Sequence, residues 1–249
     1  QFFSHRSAAM LWGLPMPHLD VPDLHLSAPS PARGPRVRGA TGHRVDPARC
    51  PVVLLAGIPV SSPASTWAML GALGLSTTQL VVAGDQLIRM HRAGYGRPNA
   101  GKPALATRDQ CRELLELGRW AGAARLRGAL ALMREDSWSP QESILRLGLV
   151  RAGLPEPDLN IDVFEENGSF LACLDLAYPR YRVGVEYHGI QHSDSYAEDV
   201  ERMARLRANG WEMIEVTRAI AGRPWIVAAR VRDALSDRGW RPGAPARGQ

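Results

Sequence analysis

Two apolar segments, Leu171-Ala-Cys-Leu-Asp-Leu-Ala-Tyr178 and Arg182-Val-Gly-Val-Glu-Tyr-His188, stand on either side of the turn pair Pro179-Arg180, and each carries one acidic residue within it. Leu174, Leu176, Val183 and Val185 mark both as core strands of a single hairpin. Strand alternation places Glu186 and His188 on one face, and a short hairpin brings Asp175 beside them. An unpaired carboxylate in such strands costs on the order of several kcal/mol, so the fold has to supply either a counter-charge or a cation.

The surrounding order is sharp. Ser139 to Arg151 predicts a helix closed by Gly153 and Pro155, and Leu159 to Glu165 a strand that turns at Asn167-Gly168 into the first segment of the hairpin. After the hairpin, Ser193 to Ala208 predicts a helix with an apolar stripe at Val200, Met203 and Leu206. Trp211 to Thr217 then reads as a strand, and Arg223 to Arg238 as a closing helix with Pro224 in its first turn. The order is α-β-β-β-α-β-α. The tail from Arg241, rich in proline and glycine, is expected to be disordered.

The first half is mixed: a short helical turn at Ser4 to Leu14, a strand at Asp20 to Ser27, a basic strand or hairpin at Arg36 to Val45, and a strand at Val52 to Val60. Helices follow at Ser61 to Leu73, Thr77 to Met90, Thr107 to Leu117 and Ala121 to Glu135, with a glycine-rich linker at Gly94 to Lys102. We therefore expect a basic α+β domain over residues 1–136, a second domain over 137–240 and a tail over 241–249.

Charge separates the two halves. Through Asp136 there are 16 basic against 9 acidic residues, net +7, and beyond it 14 against 16, net −2. Of the 30 basic residues all but Lys102 are Arg. An Arg-rich half beside an acidic one fits DNA binding together with a metal site, and it equally fits a solvated surface. The three cysteines show no CxxC or Cys/His spacing, so neither a disulfide framework nor a zinc site is expected from them. No apolar run approaches the ~20 residues of a membrane helix and no secretion signal is evident, so a cytoplasmic protein without a membrane partner is expected. Because the chain opens on Gln1, a preceding segment is also expected.

Paired carboxylates on adjacent strands suit Mg²⁺ or Mn²⁺, which accept a phosphate oxygen and keep several waters. Such an ion polarises a phosphodiester and acidifies a bound water. The αβββαβ order, with Glu142 on the first helix, Asp175 on the second strand and Glu186-Tyr-His188 on the third, resembles the PD-(D/E)xK nuclease fold. Val185-Glu-Tyr-His-Gly-Ile-Gln-His192 is similar to the Glu-x-(Asp/His)-Gly-x-x-His signature of very-short-patch-repair-like endonuclease domains.

The resemblance covers Ser139 to Arg238 and implies an α/β, restriction-endonuclease-like domain on a mixed sheet. It implies Asp175 and Glu186 as metal ligands, Glu142 as the helix carboxylate, and His188 and His192 as ligand, proton-transfer or phosphate-contacting groups, with Gln191 beside them. The parent motif ends in Lys where this chain has His188, and no Lys lies in the second half. In the first half, Ser4 to Leu14 and Ile58 to Trp67 resemble the region after the winged helix of AbiEi-type antitoxins and regulators.

Each residue also has a plainer reading. Ser139-Pro-Gln-Glu142 is a capping box in which Glu142 would return to the Ser139 N–H. Asp175 could pair with Arg180 or Arg182, and the two histidines could merely close a strand and open a helix. The group Arg33, Arg36, Arg38, His43 and Arg44 reads either as phosphate-straddling or as a solvated basic hairpin, and Arg202 either as a phosphate contact or as surface charge. The expectation is a Mg²⁺- or Mn²⁺-dependent DNA endonuclease, RNA being a further substrate class. Its rival is a non-catalytic DNA-binding regulator or antitoxin on the same scaffold.

Overall fold

The computed structural model describes residues 1–18, 24–95, 97, 99–188 and 196–243. Two compact units form: residues Gln1–Arg92 with Pro98–Glu135, and Ala93–Arg97 with Asp136–Gln249. Both are mixed α and β, each on its own mixed sheet. Part of the expected glycine-rich linker thus belongs to the second unit. There Tyr95 stacks on Phe170 with ring centroids 4.0 Å apart, and Arg97 pairs with Asp162.

The first unit contains β1 (Phe2–Phe3), α1 (His5–Leu11), β2 (Leu24–Pro29), β3 (Ala40–Val45), β4 (Val52–Leu55) and β5 (Ile58–Ser61). Helices α2 (Pro63–Met69), α3 (Thr77–Ile88), α4 (Arg108–Glu116) and α5 (Ala123–Leu132) follow. The strand order is β3-β2-β1-β5-β4. The stretch expected as one strand from Val52 to Val60 is instead a hairpin. Ala56 and Gly57 both take left-handed backbone (φ 47° and 82°), the pattern of a tight turn between antiparallel strands, and Val53 pairs with Val60 across it. An Ala in the first turn position hides this signal. Strand β1 was not expected, and of the predicted strand from Asp20 only Leu24 onward lies in β2, residues 19–23 being outside the described set.

Helices α3 and α4 start where their sequences dictate. Ser76 with Gln79, and Thr107 with Gln110, each complete a reciprocal capping box that satisfies two otherwise orphaned N–H groups. Trp67 is fully buried and donates its indole N–H to the Leu80 carbonyl, tying α2 to α3.

The second unit runs α6 (Pro140–Arg151), β6 (Asp158–Phe164), β7 (Phe170–Tyr178), β8 (Val183–His188), α7 (Tyr196–Ala208), β9 (Glu212–Thr217), α8 (Arg218–Ala221) and α9 (Pro224–Asp237). The sheet order is β6-β7-β8-β9, with β8 and β9 parallel and the other neighbours antiparallel. One face packs on α6 and α9 through Leu145, Leu149, Leu176, Val183, Val185, Val231 and Leu235. The other packs on α7 through Leu171, Leu174, Ala177, Met203, Leu206 and Trp211. Burying each such Leu or Val stabilises the unit by ~1.5–3 kcal/mol. At Gly184 a β-carbon would stand 2.7 Å from the Met213 sulfur, so the strand passes there only as glycine or with that side chain displaced. Among the described residues no helix is long and apolar enough to cross a membrane.

Candidate functional site

The registers of the second sheet line up four polar residues. Leu159 pairs with Leu176 and Ile161 with Leu174, which sets Asn160 opposite Asp175. Leu176 pairs with Val185, so the next step of the same register sets Asp175 opposite Glu186, and Glu186 pairs with Glu215. Asn160, Asp175, Glu186 and Glu215 therefore form a row across β6 to β9. At this row the regular ladder gives way. Asn160 takes left-handed backbone (φ 48°), and the Asp175 carboxylate, through Oδ2, accepts the Tyr187 N–H at 3.0 Å.

Glu142 joins the row from α6. Its amide N–H donates to Ser139 Oγ at 3.2 Å, one half of the expected capping box. The other half is not formed as expected: Glu142 Oε2 accepts from the Trp138 N–H at 2.8 Å and from Asn160 Nδ2 at 2.5 Å. Asn160 also donates to the Asp136 carbonyl at 2.7 Å, so one buried amide holds Glu142 against the sheet. Glu142 and Glu186 are each 5% exposed, and Asp175 is half-buried.

The electrostatics centre on Asp175. Burial, the largest cause in each case, pushes the carboxyl groups of Glu142, Asp175 and Glu186 above the ordinary carboxylate range. The Asp175 charge raises Glu142 and Glu186 further, whereas Arg202 and His188 oppose the rise at Asp175 and Glu186. Arg202 donates from Nη1 to Glu186 Oε1 at 2.6 Å and from Nη2 to Asp199 Oδ1 at 3.3 Å. It is therefore tied to the carboxylate site, at a place on the helix from which the sequence suggests either a phosphate contact or surface charge. His188 Nε2 lies 3.5 Å from Glu215 Oε2, an ion-pair distance longer than a good hydrogen bond.

The arginines proposed for Asp175 go elsewhere: Arg182 donates to the Asn209 carbonyl and Arg180 lies over the Tyr181 ring. Gln191 and His192 lie outside the described residues. Arg33, Arg36, Arg38 and Arg44 are exposed on the first unit, the last of them on the edge strand β3.

A second cluster, in the first unit, escaped the sequence reading. His5, His25 and His43 bring one ring nitrogen each within 4.8 Å of the others, and among the described residues no other set of three His, Cys, Asp or Glu does so. The three carboxylates of the second unit thus share an electrostatic neighbourhood without closing on one point. Spacings of 20 and 18 residues carry no local motif, and only pairing of β2 with β3 makes neighbours of His25 and His43.

No protein-family model, curated protein or solved structure matches this chain.

Proposed function

We propose that the second unit is a restriction-endonuclease-like domain that hydrolyses phosphodiester bonds in DNA with Mg²⁺ or Mn²⁺. The observation that carries the reading is the position of Asp175 beside Glu186 on adjacent strands, with Glu142 near enough for its charge to be felt, in a setting where burial already penalises all three charges. The order α6-β6-β7-β8-α7-β9 and the strand order β6-β7-β8-β9 support it.

The donor set fits a hard cation, which takes one or two carboxylates and completes its shell with water and substrate phosphate. Asp175 and Glu186 would hold it. Among the described residues, the bonds to Tyr187 and Arg202 engage Asp175 Oδ2 and Glu186 Oε1, leaving the second oxygen of each as donor. Bound there, the ion would polarise the scissile phosphate and acidify a water. Glu142, fixed by Trp138 and Asn160, positions the acidic row. His188 stands in the place of the parent motif's Lys and would serve as the proton-transfer group. Arg202 balances Glu186 beside the carboxylates, where it would also meet a substrate phosphate. Arg33, Arg36, Arg38 and Arg44 contact the DNA backbone, each phosphate contact adding about 0.9 to the salt slope.

The Arg202–Glu186 pair and the lack of Lys between residues 136 and 249 favour a second reading, a DNA-binding regulator that keeps the scaffold without cleavage. One experiment separates the two. The full chain and Asp175→Ala are incubated with plasmid and with DNA and RNA oligonucleotides, with and without Mg²⁺ or Mn²⁺. Metal-dependent cleavage that the variant lacks supports the nuclease, and the oligonucleotides identify the substrate. Tight binding that ignores chelator and leaves the strands whole supports the regulator.

A further inference from the structure

We infer that His5, His25 and His43 form a binding site for a borderline first-row divalent ion of the Zn²⁺ class, separate from the carboxylate row and of different ligand chemistry. Three segments far apart in the chain deliver the imidazoles. His25 and Ser27 lie on one face of β2, and Ser27 pairs with His43 on β3, so the two histidines are diagonal neighbours. His5 opens α1 directly after β1 and stacks on His43 with ring centroids 3.8 Å apart. His25 and His5 are 8% and 6% exposed, and His43 is half-buried.

Two of the three ring nitrogens already face each other. His25 Nδ1 and His43 Nε2 stand 2.9 Å apart, so one proton is shared where two lone pairs converge. A divalent ion that replaces this proton would sit between the two nitrogens as they open by a few tenths of an ångström, with the one displaced proton moving to the far nitrogen of its own ring.

His5 Nδ1 is 3.0 Å from Ser4 Oγ, which itself accepts from Ser27 Oγ at 2.7 Å. With an ion on Nε2, His5 Nδ1 would carry the proton and donate it to Ser4 Oγ, the usual task of an outer-shell partner. His5 holds left-handed backbone (φ 47°), an uncommon conformation for a residue other than glycine.

Neutral imidazoles favour Zn²⁺, Co²⁺, Ni²⁺ or Cu²⁺ over Mg²⁺. Three of them leave a position open for water or another ligand. His5 and His43 line a cavity of about 400 Å³ together with Arg44, Asp46, Arg49 and Trp120, so that position would face a basic, aromatic recess suited to a small anion.

The test uses the full chain, stripped with chelator and titrated with Zn²⁺ against a chromophoric competitor, then with Co²⁺ in the visible. The expected result is one tightly held equivalent of Zn²⁺, an intense tetrahedral-type Co²⁺ spectrum bleached by Zn²⁺, and at least about a tenfold loss of affinity in His43→Ala with unchanged far-UV circular dichroism. Asp175→Asn keeps the Zn²⁺ equivalent, which sets this site apart from the carboxylates. Wild type without a stoichiometric equivalent, or His43→Ala binding as wild type does, overturns the inference. Should the variant misfold, the wild-type Co²⁺ spectrum decides: its absence overturns the site.

Discussion

Replacing Asp175 by Asn should make the second unit more stable while ending its response to Mg²⁺. The amide keeps the shape of the carboxylate, and its oxygen can still accept the Tyr187 N–H that Asp175 Oδ2 accepts at 3.0 Å. What disappears is a half-buried charge beside Glu186 and within reach of Glu142. Opposed side chains on neighbouring strands set the two charges about 6 Å apart. At an effective dielectric of about 20 their repulsion is then roughly 3 kcal/mol. Arg202, 2.6 Å from Glu186, offsets a part of this, so the net gain expected from the substitution is about 1–2 kcal/mol.

For a unit of this size each kcal/mol is worth about 4–8 °C, which puts the rise in Tm at roughly 5–15 °C in metal-free buffer at pH 7. Differential scanning calorimetry with and without Mg²⁺ reads both halves of the claim. Wild type should gain about 2.7 kcal/mol when the ion is present at a hundred times its Kd, and Asp175→Asn should gain almost nothing. This is the pattern of a site whose acids are held together for binding at the expense of stability. Were the variant destabilised by 1 kcal/mol or more, and wild type indifferent to Mg²⁺, the acidic row would be a structural network and the cation argument would fail.

Arg202→Ala removes the counter-charge of Glu186, which is 5% exposed. Because Arg202 itself is partly open to solvent, we expect a loss of about 1–3 kcal/mol, less than for a fully buried pair, with Glu186→Gln in the same background recovering most of it in urea titrations. The Cys50 and Cys111 thiols, both pushed up to about 12 by burial, should react with a disulfide reagent at pH 8 at least about a hundredfold more slowly in native protein than in urea, read in a Cys173→Ala background. The sign for stability follows from the same shifts. A thiol pKa raised on folding favours the native state below the unfolded value near 9 and loses that contribution as pH climbs from about 9 toward 12, so chemical denaturation should show an alkaline decline over this window.

What could be read in the chain and what could not divides along one physical line. In the second unit the information is local. Alternation along Phe170 to Tyr178, the Asn167-Gly168 turn and the apolar stripe of α7 each specify an element from adjacent residues, and the hairpin register that sets Asp175 against Glu186 follows from a short connection. The partners that complete the site are not local. Nothing near Asn160 in the sequence announces a left-handed residue whose amide reaches Glu142 on α6, and the place of Arg202 on its helix does not tell whether it faces water or Glu186.

The first unit takes this further. Its strand order β3-β2-β1-β5-β4 departs from chain order, so His5, His25 and His43 meet only because the parallel pairing of β2 with β3 and the two-residue strand β1 bring them together. Basic composition places His43 only in a group that reads as phosphate-straddling or as a solvated hairpin, and gives no sign of its stacking on His5. As proposed, the two units have opposite ligand preferences, oxygen donors for a hard ion in one and imidazoles for a borderline ion in the other. A protein that answered Mg²⁺ and Zn²⁺ through the same residues would contradict that division at its root.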